Sequence, residues 1–478
     1  MHLARTVRTI VRTRTVSHAL FVSLSVAGLS ASQVDASQLE HRIEDQEARI
    51  RSLERRFESG AQPAQSTSAG RAATGGKGFS ITSADGGHQL KLRGLLHFDG
   101  RHHLDDVAPD TADTWLLRRV RPTIEGVLYD TFDFRLTPDF AGGRAIILDA
   151  YGAVRLRPWA TLTVGKFKVP VGLERLVSAD DMRFIERGFP TSLVPNRDLG
   201  LQLAGEALGQ RLQYSLGVYN GVVDGSSSDA QGDTEIDGAR DYAARLFVQP
   251  FRTSERFALR GLGFGVAATY SDVDGAPQTP SLSSLRNPDQ QTFFRWRGDD
   301  SATSAINEAT FLNGRRVRLT PQAYYYAGPF GVLGEYVSVR QEVSRATANG
   351  IRNADLENTA WQVQLSYFLT GEQAQFKGFT PGSTFRPNGE SWGAFELVAR
   401  YQELEIDAQA FAGGAASFAD PATQPRKAAA YTVGLNWRLN ENVKWQINYE
   451  HVSYRGGAAD GADRDDSKAI LTRFAIGF

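Results

Sequence analysis

The stretch YTVGLNWRLNENVKWQINYE, residues 431–450, decides the fold class of this 478-residue chain. On either side of a turn at residues 440–442, apolar and polar side chains alternate. One set is aromatic or aliphatic: Tyr431, Val433, Leu435, Trp437, Val443, Trp445, Ile447 and Tyr449. The opposite set is small or polar and includes Lys444, Gln446, Asn448 and Glu450. A period of two predicts two antiparallel strands, and an apolar face opposite a charged face is typical of a sheet with lipid outside and water inside.

The same period recurs from Phe79 to the terminal Phe478 and predicts sixteen strands. Their expected ranges are 88–103, 114–129, 132–138, 146–157, 159–168, 199–207, 210–221, 240–250, 256–271, 315–327, 329–342, 357–370, 391–404, 426–439, 443–455 and 466–478. Short turns alternate with long polar loops near 104–113, 169–198, 221–239, 272–314, 343–356, 405–425 and 456–465. This pattern predicts an all-β fold, a sixteen-stranded antiparallel transmembrane β-barrel with both termini in the periplasm. The connection 371–390 breaks the pattern, because it should be short and is long.

Composition excludes several classes of protein. No stretch approaches the run of about 18 apolar residues that a membrane-spanning helix needs, which leaves a β-barrel open. The absence of cysteine excludes disulfide frameworks, thiolate metal sites and cysteine nucleophiles. A formal net charge of -1 gives no support to nucleic-acid binding. The chain has no HExxH and no G-x-S-x-G pattern, so we expect a protein that is not an enzyme and has no metal site or cofactor.

Three segments are predicted ahead of the barrel. Arginines precede a compact apolar run, as in a secretory signal peptide, with cleavage after Ala31 or Ala36. A seam with spacings of four and three predicts a coiled-coil helix: Leu39, Ile43, Gln46, Ile50, Leu53 and Phe57. A stretch rich in Gly, Ala and Ser follows, which is typical of a flexible linker. The expected boundaries are 1–36 for the signal peptide, 37–58 for the helix, 59–78 for the linker and 79–478 for the barrel.

Seven segments of the barrel resemble the phosphate- and polyphosphate-selective trimeric porins of the porin O/porin P group. They are LLRRVRPTIEG (116–126), LDAY (148–151), LTVGKFKVPVGLERL (162–176), RFIERGF (183–189), WQVQLSYFLTGE (361–372), GAFELVARY (393–401) and YTVGLNWRLNENVKW (431–445). The resemblance implies a trimer in the bacterial outer membrane, with loop 169–198 folded into the lumen as a constriction and a basic ladder that attracts anions. It also implies that the N-terminal helix is a periplasmic trimeric stalk.

Individual residues can be carried over from that family. Arg118 and Arg119 match its paired arginines, and Asp149 matches its inward aspartate. Arg175 is the basic residue after Gly-Leu-Glu, and Arg187 is the arginine of the Glu-Arg pair. The resemblance implies that these five residues border the anion pathway.

Strand parity gives an independent basis for such a pathway. It places Arg119 and Arg121 on the lumen side of the second strand and Arg118 on the opposite side. Further candidates lie in the two longest loops: Arg175, Arg183 and Arg187 in 169–198, and Arg295 and Arg297 in 272–314. Guanidinium groups in a narrow throat can replace part of the hydration shell of a phosphate.

The sequence therefore predicts an anion-preferring outer-membrane porin for phosphate, pyrophosphate, polyphosphate or other small phosphorylated anions. Its expected partners are these anions, outer-membrane lipid, lipopolysaccharide and two further copies of the chain in a homotrimer. A weakly selective general-diffusion porin stays open, because the predicted constriction also carries carboxylates: Glu174, Asp180, Asp181, Glu186 and Asp198. A surface receptor or adhesin barrel is the alternative from another class, and it would need external loops that fill or cap the pore.

Overall fold

The computed structural model describes residues 70–75, 78–104, 112–228, 238–299, 306–347 and 350–478. The signal peptide and the coiled-coil helix, predicted over 1–58, lie outside these residues. None of the helices in the described part of the chain is long and apolar enough to cross a membrane.

Sixteen antiparallel strands form the body of the fold. They are β1 Gln89–His103, β2 Thr114–Leu128, β3 Phe132–Asp139, β4 Ile146–Arg157, β5 Ala160–Lys168, β6 Arg197–Ala207, β7 Leu212–Tyr219, β8 Asp241–Val248, β9 Leu262–Val273, β10 Thr310–Ala327, β11 Phe330–Thr347, β12 Gly350–Phe368, β13 Ala394–Glu405, β14 Pro425–Arg438, β15 Val443–Gly456 and β16 Ser467–Gly477. Each strand pairs with its neighbours in sequence, and β16 pairs with β1, with Gly477 beside Leu95. The sheet is a closed barrel, and the predicted sixteen strands are confirmed.

The two faces of the strands differ as the alternation predicts. On β16, Ile470 and Phe474 are exposed on the outer surface, whereas Arg473 is buried inside. On β15, Trp445 lies outside and Glu450 lies inside. Successive side chains of a strand point to opposite faces, so a single alternating sequence supplies both a surface for lipid and a polar lumen.

A short hairpin of Arg71–Thr74 and Phe79–Thr82 precedes β1. Its second strand pairs with the first residues of β1, where Phe79 lies beside Leu92. Because β16 ends opposite Leu95, the first residues of β1 would have no strand on that side. The hairpin supplies hydrogen-bond partners for their backbone groups. The linker expected over 59–78 therefore contains a short strand near its end.

The connections alternate in length around the barrel, with mostly short turns at the end that holds the carboxyl terminus and mostly long loops at the other. At the short-turn end, the connection 249–261 includes the helical turn Phe257–Arg260, so the strand predicted from residue 256 begins later, at Leu262. The exception expected at 371–390 is present, because residues 369–393 join β12 to β13 at the short-turn end. The prediction of a long loop over 343–356 is wrong, because β11 continues to Thr347 and β12 already begins at Gly350. Outward charges pair across these extensions, as Arg340 does with Glu357 at 3.4 Å, so the strands persist where polar side chains are solvated.

The connection 169–196 between β5 and β6, hereafter the constriction loop, runs inside the barrel. The Ile185 backbone N–H donates to Asn448 Oδ1 at 2.8 Å. The Phe189 backbone N–H donates to Gln402 Oε1 at 2.7 Å. Both acceptors are inward side chains of the wall, on β15 and β13, so the loop crosses the interior from β5 to the opposite side.

The connection 369–393, hereafter the loop 369–393, also packs against the inner wall. The Phe379 ring stacks on Phe368 with centroids 4.4 Å apart, and the Phe376 ring stacks on Tyr324 at 4.8 Å. These contacts bury aromatic surface that no short turn could cover, which explains why the sequence is long here.

Candidate functional site

The constriction loop separates two cavities in the barrel interior. One has a volume of about 550 Å³ and is bordered on the long-loop side by residues such as Ser226 and Arg286. The other has a volume of about 880 Å³ and reaches Arg93 and Gly477 on the short-turn side. Four residues line both cavities: Arg121, Lys168, Ala179 and Arg197. We call Arg121, Lys168 and Arg197 the throat, because these three cations lie where the two cavities meet.

A carboxylate of the barrel wall fixes the start of the constriction loop. Glu335 on β11 accepts hydrogen bonds from the backbone N–H groups of Leu173 and Glu174. Gln362 Nε2 donates to Glu335 Oε1 at 2.7 Å and to Glu174 Oε2 at 2.9 Å. Gly172, at a φ of 80°, turns the chain into this arrangement in a conformation that favours glycine. The loop is therefore held at a defined depth in the pore.

Two of the throat cations are neutralised by carboxylates of the wall. Arg121 Nε donates to Asp139 Oδ2 at 2.7 Å. Arg197 Nε donates to Asp149 Oδ1 at 2.9 Å. Arg197 begins β6 and is the register partner of Lys168, the last residue of β5, so two cations flank the base of the constriction loop.

Three cations in and beside the throat have backbone carbonyl groups as partners. Lys168 Nζ and Arg187 Nη2 donate to the same oxygen, that of Val177, at 2.9 and 2.8 Å. Arg175 Nη2 donates to the carbonyl oxygen of Thr191. Within the described part of the chain, no ion pair joins any of these three cations to a carboxylate. A carbonyl orients a cation without cancelling its charge, so the site carries a positive surplus.

This surplus shows in the pKa values of the loop arginines. Burial lowers the pKa of Arg175 to about 9, and the charges of Arg187 and Arg197 act in the same direction. Burial also lowers the pKa of Arg187 to about 10, with Glu174 opposing the shift. The charged guanidinium groups are therefore held at a cost. A nearby anion would remove part of that cost, because an opposite charge favours the ionised form.

Arg118 and Arg119 both point into the smaller cavity. In the pairing of β1 with β2, His97 lies opposite Arg119 and Phe98 lies opposite Leu117, so Arg118 is the extra residue of a β-bulge. The prediction that Arg118 faces away from the lumen is therefore wrong. Strict alternation cannot foresee a bulge, which inserts one residue and re-aims its side chain.

The carboxylate partner of these two arginines is Glu186 of the constriction loop. Arg118 Nε donates to Glu186 Oε1 at 2.6 Å, and Arg119 Nη2 lies 3.6 Å from Oε2. Burial raises the pKa of this carboxyl, but the Arg118, Arg119 and Arg473 charges outweigh burial and hold the pKa well below its usual range. Glu186 is therefore an anion throughout the physiological pH range.

Three of the predicted pathway residues lie away from both cavities. Arg183 pairs with Glu396 on β13 at 2.9 Å and anchors the constriction loop to the wall. Arg297 pairs with Asp420 of another long loop at 3.3 Å, and Arg295 lies exposed beside it. Ion pairs with carboxylates that are distant in sequence fix the positions of Arg183 and Arg297, and neither strand parity nor loop length reveals such partners.

Six predicted residues do border the cavities: Arg118, Arg119, Arg121, Asp149, Arg175 and Arg187. Lys168 and Arg286 are among the lining cations that were not singled out from the sequence. The sequence did offer a signal for Lys168, because it is the last charged residue of an alternating strand before the predicted constriction loop. Arg286 carried none, since it lies in a long loop without periodicity.

A closed sixteen-stranded barrel with an inward loop and a charged throat defines the porin class. The chain matches the family model described as phosphate-selective porin O and P over residues 90–478. Porin O of Pseudomonas aeruginosa is 23% identical over 429 residues, which cover 84% of this chain and 91% of the relative. The chain therefore belongs to the phosphate-selective porin O and P family and is an outer-membrane porin channel.

Solved structures with a similar fold include two outer-membrane channels. The anion-selective porin of Comamonas acidovorans aligns with a TM-score of 0.48 at 11% identity, over 82% of this chain and 100% of that chain. The channel DcaP of Acinetobacter baumannii aligns with a TM-score of 0.49 at 11% identity, over 83% of this chain and 99% of that chain.

Proposed function

We propose that the protein forms a water-filled diffusion channel that prefers small anions, with phosphate, pyrophosphate, polyphosphate and other small phosphorylated anions as its solutes. The observation that carries this proposal is the set of Lys168, Arg175 and Arg187, whose partners are backbone carbonyls. The description of the family as phosphate-selective supports the same class of solute.

The physical argument concerns what an anion loses and gains on entering the throat. It gives up part of its hydration shell, and fixed N–H donors must replace the lost hydrogen bonds. Lys168 and Arg187 share the Val177 carbonyl, so their donors lie close enough for one phosphate to contact both. Because these donors are positioned before the anion arrives, little entropy is spent on ordering them.

The proposal extends to assembly and location. We propose a homotrimer in the outer membrane, exported by the N-terminal signal, with the coiled-coil helix as a periplasmic stalk. The heptad seam supports the stalk, and the family resemblance supports the trimer. Outer-surface residues such as Phe474 and Trp445 would contact lipid or the acyl chains of lipopolysaccharide.

A weakly selective diffusion porin is the competing function. Asp180 and Asp181 border the larger cavity, and Asp139 and Asp149 neutralise two throat arginines. If these carboxylates balanced the basic residues along the path, the pore would carry a transverse field and no strong ion preference.

Reconstitution into planar bilayers tests the proposal. Under a potassium chloride gradient, the zero-current potential should approach the chloride equilibrium potential, and added phosphate should block the chloride current. A potential near zero would favour the weakly selective porin, and potassium preference would reject an anion channel. Channels that do not open at all would favour a receptor or adhesin barrel.

A further inference from the structure

Glu186 lies at the centre of a buried cluster of arginines. Its side chain is 3% exposed. Four guanidinium groups surround its carboxylate: Arg118 at 2.6 Å, Arg101 at 3.3 Å, Arg473 at 3.5 Å and Arg119 at 3.6 Å. Among the described residues, Asp99 is the other carboxylate that pairs within the cluster, and it binds Arg473. Four positive charges therefore face two negative ones.

The cluster keeps unused hydrogen-bonding capacity. The Nε atoms of Arg101 and Arg119 are buried and have no acceptor in the described part of the chain. Arg118, Arg119 and Glu186 also line the smaller cavity. A buried donor without an acceptor is a group that an oxyanion would satisfy, and Arg119 carries such a donor while its side chain also borders the cavity.

The β-bulge at Arg118 is a second, independent feature of the same site. Without it, alternation would leave Arg119 facing Glu186 and turn Arg118 outward. The bulge interrupts the ladder of β1 and β2 and adds a second guanidinium to the carboxylate. A disruption of the strand pairing thus serves to surround one anion with donors.

We infer that Glu186 is a resident anion: its carboxylate fills a second oxyanion site at the paired arginines and withholds that site from passing solutes. This inference rests on the proposed function, because it assumes that anions cross the smaller cavity. A carboxylate on the anchored constriction loop has a high effective concentration at the cluster, so a free anion does not displace it. The throat is then the site that holds the solute, and Glu186 determines how strongly the whole channel retains an anion.

The substitution Glu186→Gln tests the inference. Glutamine keeps the size of the side chain and an acceptor for Arg118, but it removes the negative charge. We expect phosphate to block the chloride current at about tenfold lower concentration, which corresponds to about 1.4 kcal/mol. Glu186→Asp retains the charge and should keep phosphate block near the wild-type concentration.

Glu396→Gln is the matched control. Glu396 is also a buried inward carboxylate that pairs with an arginine of the constriction loop, Arg183, but it lines neither cavity. Its substitution should leave phosphate block unchanged. Unchanged or weaker block in Glu186→Gln, at wild-type single-channel conductance, would overturn the inference.

Arg118→Gln in the Glu186→Gln background provides a second test. Glu186→Gln opens the cluster to the solute, so removing Arg118 as well should reverse the gain in phosphate block. A double variant in which phosphate blocks as strongly as in Glu186→Gln alone would mean that the paired arginines do not bind the solute, and the inference would fail. Failure of the proposed function is distinguishable, because the wild-type channel itself would then show no anion preference.

Discussion

Replacing Arg187 with Gln is expected to weaken the binding of phosphate in the throat about tenfold. One unit charge stabilises an opposite unit charge by about 4 kcal/mol at a separation of about 4 Å and an effective dielectric constant of about 20. Lys168, which shares the Val177 carbonyl with Arg187, stays in place, and mobile ions screen the partly open site. We therefore expect a loss of about 1.4 kcal/mol, a factor of about ten in the dissociation constant.

The assay is the phosphate concentration that halves the chloride current, measured together with the zero-current potential of the same channels. Arg297→Gln is the matched control, because Arg297 pairs with Asp420 outside both cavities. It should change neither quantity. Equal losses from both substitutions would show that any distant arginine contributes to a general field, and no loss from Arg187→Gln would refute the assignment of Arg187 to the anion site beside the throat.

Three further outcomes follow from the same contacts. Asp149→Asn removes the charge that neutralises Arg197 at 2.9 Å, so the zero-current potential should move further towards the chloride limit. Gly94→Ala would place a Cβ atom 2.4 Å from Cζ of Phe478 at the closure of the barrel, and the overpacking should cost about 1–3 kcal/mol, seen as a lower unfolding temperature in a gel-mobility assay. Phe379→Ala should cost the loop 369–393 about 2 kcal/mol of docking energy and speed its cleavage in limited proteolysis, while ion selectivity stays as in wild type.

The barrel could be predicted from sequence because every strand shows the same pattern, in which apolar and polar side chains alternate with a period of two residues. Residues 431–450 show the reason. Lipid outside and water inside require apolar and polar side chains at alternate positions, and this pattern can be recognised without knowing which strands pair. The failure at 343–356 has the same physical origin. Beyond the lipid, both faces of a strand meet water, so polar residues are allowed on either face and the alternation no longer separates strand from loop.

The site was less predictable, because its chemistry depends on pairings between distant parts of the chain. Arg183 and Arg187 lie in one short motif, yet Glu396 neutralises the first while the second has carbonyl partners. Nothing in the motif distinguishes them. The orientation of Arg118 depends on a bulge whose position is set by the neighbouring strand, and one strand's sequence does not contain that information.

The two groups of arginines show how the same loop can both hold itself in place and attract a solute. A loop that crosses a pore needs fixed anchors, and ion pairs such as Arg183 with Glu396 supply them at the expense of the positive charge. Carbonyl partners supply anchors as well, but they leave the charge of Lys168 and Arg187 available to the lumen. The choice of acceptor therefore decides whether a basic side chain is structural or belongs to the pathway. A count of arginines in the constriction would overestimate anion affinity, whereas the count of cations bonded to carbonyls is the quantity that should track it.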